Sequence, residues 1–142
     1  MGKSTIDADW VWRNYYESSE VSIPEGATGI EDKTFYGCES LTSVELPDSV
    51  TSIGDMAFYD CVKMASVKIP DGVINIGKGA FRGCEALTSV KIPSSVVSIE
   101  ETAFSDCPDV KLICNKGSYA EKYAKENEVP YAVPKTRNEI ER

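Results

Sequence analysis

Histidine is absent from this chain of 142 residues. Its imidazole is the most frequent general base near neutral pH and the commonest transition-metal ligand in proteins. Only lysine or carboxylate chemistry remains, and the adjacent Glu100 and Glu101 do not form a catalytic pair, because neighbouring side chains on an extended segment point in opposite directions. The composition therefore predicts a protein without enzyme activity, without a metal site and without a cofactor.

Long apolar runs and an excess of basic residues are missing as well. No stretch approaches the roughly 18 to 20 consecutive apolar residues of a membrane-spanning helix, and residues 1–9 lack the apolar run of a secretory signal. The 15 basic residues are outnumbered by 23 acidic ones, which gives a net charge of −8. Because binding to phosphate backbones relies on lysine and arginine, we expect neither membrane insertion nor direct binding to nucleic acid.

What the sequence does contain is a repeat with a period of 23 residues. Four consecutive units align without a gap, and each begins with valine and carries proline, phenylalanine and cysteine at fixed positions. The two most regular columns are Phe35, Phe58, Phe81 and Phe104, and Cys38, Cys61, Cys84 and Cys107. Such a period is typical of a solenoid, because a single unit cannot bury its apolar side and must stack on its neighbours. We therefore predict that both columns form structural ladders through the core.

Each unit is predicted to form one coil. Around the start of the second unit, residues 41–47 alternate apolar and polar side chains in their second half, which predicts a short strand that ends at Pro47. Residues 49–53 predict a second extended piece, and the apolar spacing of three in residues 54–61 favours one helical turn. Strands of successive coils would pair in parallel about 4.8 Å apart and turn every column into a ladder.

The evenly spaced cysteines are predicted to be free thiols. Parallel side chains on stacked coils keep their Cβ atoms about 4.8 Å apart, whereas a disulfide requires about 3.5 to 4.5 Å. A straight row also cannot surround a zinc ion tetrahedrally. We therefore expect the column to pack as small apolar side chains, and we expect Cys114, which falls outside the period, to be the most reactive thiol.

The repeats leave a segment at each end that is predicted to cap the core. Ser118 followed by Glu121 matches a capping box before an apolar stripe, which predicts a helix. At the other end, four aromatic residues would cover the first coil: Trp10, Trp12, Tyr15 and Tyr16. The predicted division is residues 1–20 as an N-terminal cap or degenerate half-repeat, 21–112 as four repeats, 113–133 as a C-terminal cap with a helix, and 134–142 as a polar tail.

The columns also carry a family resemblance. Across residues 21–112 the pattern I-P-x-x-V-x-x-I-x-x-x-A-F-x-x-C-x-x-L-x-x-V resembles the BspA-type leucine-rich repeats of bacterial surface proteins. The resemblance implies an α/β repeat solenoid, a right-handed leucine-rich-repeat coil with parallel strands on its concave side, short helical turns and a C-terminal capping helix. It also implies a role in binding other proteins, often in adhesion.

Positions between the buried columns are predicted to form exposed rows that a partner could contact. We name them the strand row (Ser22, Glu45, Lys68 and Lys91), the apolar row (Thr28, Thr51, Ile74 and Val97) and the ring row (Tyr36, Tyr59, Arg82 and Ser105). Tyrosine and arginine are enriched in protein interfaces, so the ring row supplies candidate anchors. The alternative for any row is a solvated face that contacts nothing.

Two functions are compatible with these rows. The first is a non-enzymatic module that binds a protein partner through the surface of the solenoid. The second is a small acidic inhibitor or decoy that occupies a basic surface of an enzyme or of a nucleic-acid-binding protein. The four repeats carry 14 acidic and 7 basic residues, and the first two repeats contribute a net charge of −3 each. A basic partner would therefore be attracted to the repeats at low salt.

The cellular location is left open by two opposing signals. An odd number of cysteines, five, and the missing secretory signal favour the reducing interior of a cell. The family resemblance instead favours the cell surface, where this chain would be part of a longer protein.

Overall fold

The computed structural model describes residues 4–15 and 17–134. The elements are β1 (Thr5–Ile6), α1 (Ala8–Tyr15), β2 (Glu20–Ser22), β3 (Gly29–Ile30), β4 (Ser43–Glu45), β5 (Ser52–Ile53), β6 (Ser66–Val67), β7 (Asn75–Ile76), β8 (Ser89–Ile92), β9 (Ser98–Ile99), β10 (Lys111–Cys114), α2 (Tyr119–Glu126) and β11 (Tyr131–Ala132). The predicted polar tail beyond residue 134 and the predicted covering residue Tyr16 lie outside the described residues.

The strands form two rows along the stack of coils. One row is a five-stranded parallel sheet in the order β1-β3-β5-β7-β9, and the other consists of two three-stranded parallel sheets, β2-β4-β6 and β8-β10-β11. Paired residues within the repeats lie 23 positions apart, as Val44 and Val67 do in β4 and β6. The predicted fold class, a solenoid of stacked parallel strands with a C-terminal helix, is confirmed.

The pairing period changes at both ends of the stack. In the first coil Ile6 lies opposite Ile30, which is 24 positions away. In the last repeat Val90 lies opposite Leu112, which is 22 positions away. Both changes keep an apolar residue opposite an apolar residue, because a slip by one would turn the core side chains outwards.

The second half of each unit differs from the predicted helical turn. The N–H of Tyr36 donates to the carbonyl of Lys33, three residues earlier, whereas the N–H of Phe35 donates to Ala57 in the next coil at 2.7 Å. Lys33 and the equivalent Met56 have φ values of 61° and 55°, in the left-handed region. The segment is therefore a run of β-turns, because alternate N–H groups are used to join neighbouring coils.

The phenylalanine column forms a continuous stack of rings in the core. Successive rings of Phe35, Phe58, Phe81 and Phe104 have centroids 5.0, 5.2 and 5.2 Å apart, and their planes differ by at most 7°. All four side chains are buried. The stack joins every repeat to the next through offset aromatic contacts as well as through the backbone.

The cysteine column lies beside the rings. The thiol of Cys61 donates to the carbonyl of Phe35 at 3.1 Å, and Cys84 donates to Phe58 and Cys107 to Phe81 in the same way. All five cysteines are free. Burial raises the pKa of the Cys61 thiol, and desolvation raises that of Cys38 less because Cys38 is only half-buried.

The expected reactivity of Cys114 is wrong on burial. Its side chain lies in the core with 2% of its surface exposed, and burial raises its pKa. A reactive thiol is instead accessible and has a lowered pKa. Cys114 lies opposite Ile92, 22 positions away, so it occupies the buried isoleucine column and its side chain points inwards.

The helix α2 covers the C-terminal end of the ring stack. The Ser118 hydroxyl accepts from the N–H of Glu121, and the Glu121 carboxylate accepts from the N–H of Gly117 at 2.8 Å, so the helix start is capped in both directions. The ring of Tyr123 meets Phe104 edge-on at 6.4 Å, and its hydroxyl donates to the carbonyl of Glu101 at 3.0 Å. Burial raises the pKa of Tyr123 to about 12.

Candidate interaction surfaces

The strand row lies on the second row of strands. All four of its side chains, those of Ser22, Glu45, Lys68 and Lys91, are exposed. Glu45 pairs with Ser22 across β2 and β4, and Lys91 pairs with Ile113 across β8 and β10. A shallow groove of about 490 Å³ runs over this face between Tyr15 and Lys68. The row presents small and charged side chains of both signs.

The apolar row flanks the five-stranded sheet. Its backbone forms a ladder in which Thr51 donates to Thr28, Ile74 to Thr51 and Val97 to Ile74, each at 2.8 Å. The ladder fixes the four side chains on one outer face, where Ile74 is 47% and Val97 59% exposed. The C-terminal half of this row therefore holds two neighbouring apolar side chains in contact with solvent.

The ring row lies on the β-turn side of the solenoid. The rings of Tyr36 and Tyr59 are stacked with centroids 4.9 Å apart and planes 5° apart. The third position is Arg82, whose Nε contacts the Asp106 carboxylate at 3.1 Å. The ammonium of Lys33 lies 6.0 Å from the Tyr36 ring centroid, within the range of a cation–π contact.

Sequence reasoning missed one member of this surface, Trp12. Counted from the Ile6–Ile30 pair, Trp12 is 24 positions before Tyr36, and both residues line the same cleft. The indole is 62% exposed on α1, and Tyr36 is 51% exposed. The signal was available in the sequence, since the residues from Ile6 onwards repeat the apolar spacing of those after Ile30. We missed this signal because we expected Trp12 to cover the first coil.

A cleft of about 410 Å³ separates α1 from the turns of the first repeat. Val11, Trp12, Tyr36 and Leu41 supply apolar walls, and Cys38 lies among them. Glu17, Lys33 and Glu39 also line it. The cleft thus combines exposed rings, an apolar interior and a rim with two carboxylates and one ammonium group.

Carboxylates are built into the turns that follow the strands of the five-stranded sheet. The Asp32 carboxylate accepts from the N–H of Asp55 at 2.7 Å, and the Asp55 carboxylate accepts from the N–H of Lys78 at 2.8 Å. A Cβ at Gly54 would lie 2.5 Å from the Asp32 carboxylate, so glycine is required for this close approach. The acidic charge of the first two repeats is therefore held partly in fixed positions.

A second cleft, of about 570 Å³, lies between the last repeat and the segment after α2. Its walls include Cys107 and the carboxylates of Glu101, Asp106 and Glu128. Within residues 4–15 and 17–134, no cluster of histidine, cysteine, aspartate or glutamate could hold a metal ion. None of the helices in these two ranges is long and apolar enough to cross a membrane.

Comparison with known proteins places these surfaces in context. The model of the BspA type leucine rich repeat region, in six copies, matches residues 9–124. A leucine rich cell surface protein from Faecalibacterium prausnitzii is 26% identical over 87% of this chain, with a TM-score of 0.71. A leucine-rich repeat protein from Bacteroides ovatus is 31% identical over 83% of the chain, with a TM-score of 0.68.

A third solved structure, the leucine rich repeat protein of T. pallidum, is 28% identical over 68% of the chain, with a TM-score of 0.57. The chain spans 34% of the F. prausnitzii protein, 37% of the B. ovatus protein and 59% of the T. pallidum protein. No curated protein matches the chain.

Proposed function

The chain belongs to the BspA-type leucine-rich repeat family, and we propose that it is a non-enzymatic module that binds another protein through the exposed rows of its solenoid. The observation that carries the proposal is the set of large side chains held outwards at fixed coil spacing, notably Tyr36, Ile74 and Val97. The backbone ladders beneath them are already formed, so binding does not require the surface to fold. Preorganisation of this kind lowers the entropic cost of association.

We also propose that the partner is met at a cell surface, in adhesion. The support is the similarity to the F. prausnitzii protein, which is a leucine rich cell surface protein. The five free thiols are compatible with that location, because four of them are buried and only Cys38 is half-buried.

The proposal is tested with variants whose new side chains already occur in the same column. The immobilised chain would be used to capture proteins from extracts of cells that live beside the source organism. The affinity of each captured protein would then be measured for the native chain and for three row variants. Ile74→Thr with Val97→Thr copies Thr28 and Thr51, Tyr36→Ser with Tyr59→Ser copies Ser105, and Glu45→Ser with Lys68→Ser copies Ser22.

We expect at least one row variant to weaken binding by about tenfold or more, since a few residues carry most of the energy of an interface. Circular dichroism would confirm that each variant keeps the native fold. A partner whose affinity is the same for all three variants contradicts binding through the rows.

A second candidate, the acidic inhibitor or decoy, is favoured by one observation, the net charge of −3 on each of the first two repeats. Binding of this kind would fall steeply as salt rises to about 0.15 M, where the Debye length is about 8 Å. It would also be insensitive to the loss of Tyr36 and Ile74. Weak salt dependence together with a large effect of either residue rejects the decoy.

A further inference from the structure

We infer that the cleft beside Trp12 and Tyr36 is a docking site for an arginine side chain in a basic segment of a partner protein. The inference rests on the proposed function and names the class of partner and the place where it binds.

The ring row begins at Tyr36, which is stacked against Tyr59 and has the ammonium of Lys33 6.0 Å from its ring centroid. Tyr36 also lines the cleft beside α1. Trp12 stands across this space with most of its indole exposed. A planar group bound between the indole of Trp12 and the ring of Tyr36 would extend the aromatic stack by one member.

Cations already present beside the ring row indicate the chemistry of the group that would bind there. Lys33 holds its ammonium 6.0 Å from the Tyr36 centroid. Farther along the row, Arg82 takes the position after Tyr59, and its guanidinium is held by Asp106 from the next coil. The row therefore already contains a guanidinium next in line to tyrosine and anchored by a carboxylate, and the cleft offers the same combination at its open end.

Carboxylates and apolar walls complete the site. Glu17 and Glu39 lie on the rim, where either can accept hydrogen bonds from a guanidinium, and Val11 and Leu41 line the interior along which its methylene stem would lie. Arginine suits this arrangement better than lysine, because its flat head stacks on rings and binds carboxylates in two places. The acidic first two repeats would attract the rest of a basic segment.

The test measures binding of three synthetic octapeptides by calorimetry. Each alternates leucine with one charged residue, which is arginine, lysine or glutamate. We expect the arginine peptide to bind more tightly than the lysine peptide by about two- to fivefold, because only the guanidinium stacks flat on a ring and binds a carboxylate in two places, and we expect the glutamate peptide not to bind.

Two substitutions move the affinity in opposite directions. Tyr36→Ser, which copies Ser105, removes the ring, and we expect it to lower the affinity for the arginine peptide by about fivefold or more. Lys33→Met copies Met56, which has the same left-handed backbone. It removes the competing cation, and we expect it to strengthen binding by about two- to fivefold. Tyr119→Ser removes a partly exposed tyrosine of α2, at the opposite end of the stack, and is the matched control, which is expected to have no effect.

Three results would overturn the inference. Unchanged affinity of Tyr36→Ser for the arginine peptide would mean that the peptide binds by charge alone. Weaker binding of the arginine peptide to Lys33→Met would mean that Lys33 supports the site and does not compete with an incoming guanidinium. A natural partner whose binding is lost with Ile74→Thr and Val97→Thr but kept with Tyr36→Ser would place the interface on the apolar row. That last result overturns the docking site and leaves the proposed function standing.

Discussion

At the C-terminal end of the solenoid the phenylalanine stack is closed by an aromatic side chain, whereas the N-terminal helix buries only Val11. Both ends carry a cleft, but their linings differ. The C-terminal cleft is bordered by carboxylates around the buried Tyr123, and the N-terminal cleft is bordered by the exposed rings of Trp12 and Tyr36. One cap therefore completes the core, while the other leaves aromatic surface exposed to solvent.

The largest expected effect comes from removing the C-terminal closure. Tyr123→Ala deletes a buried ring and its hydrogen bond to Glu101, and we expect it to lower the free energy of unfolding by about 3–5 kcal/mol. Val11→Ala removes only two methyl groups, at about 0.8 kcal/mol each, and should cost about 1–2 kcal/mol. Urea unfolding followed by circular dichroism gives both values. Equal losses would mean that the two caps contribute alike.

A second prediction compares the half-buried thiol of Cys38, near the N-terminal end of the stack, with the buried thiol of Cys61. Burial raises the folded-state pKa of Cys61 above its ordinary value of about 8.5, so the folded state holds this proton more tightly than the unfolded state. The contribution of this thiol to the free energy of unfolding is therefore fully present below about pH 8.5. It is lost as the pH rises towards the folded pKa, by up to about 1.4 kcal/mol per pH unit for each such thiol.

Cys61→Ala should flatten this alkaline loss, and Cys38→Ala should flatten it less, because Cys38 is half-buried at the N-terminal end. Urea unfolding of both variants between pH 8 and pH 10 (about the range where free thiols ionise) provides the measurement. A steeper loss in the Cys61 variant than in the native chain would contradict the assignment.

A third prediction concerns the start of the C-terminal helix. Ser118→Ala removes the acceptor of the Glu121 N–H, and we expect a loss of about 1 kcal/mol, the usual contribution of an N-cap. Ser118→Asp keeps an acceptor at this position and should restore most of the stability. The thermal midpoint of each variant reports the effect, and an alanine variant as stable as the native chain would show that packing alone holds α2.

The smallest expected effect lies on the surface of the N-terminal helix. Arg13 pairs with Asp9 at 3.0 Å, and both side chains are mostly exposed. Arg13→Ala should therefore cost only about 0.3–0.5 kcal/mol, as is usual for such pairs on a helix, and high salt should abolish the difference. A loss comparable with that of Tyr123→Ala would show that charge holds the N-terminal cap in place of burial.

The sequence predicted the repeating part of the fold more reliably than its ends. The phenylalanine rings could be placed because four copies at one period admit a single stacking arrangement. The helical turn was wrong because apolar spacing by three fits a run of β-turns equally well. Cys114 and Trp12 were misjudged because each lies where the pairing period departs from 23, and a one-residue shift changes which side chains face outwards.

The sequence alone determined the order of the coils and the identity of the buried columns, because an apolar side chain repeated at a constant interval can leave water only by stacking on its copies. Tertiary structure alone decided how α1 packs on the first repeat, with Val11 buried and a ring-lined cleft of about 410 Å³ beside it. The position of a terminal helix depends on how its side chains fit one particular end surface, and a repeat period contains no information about that surface.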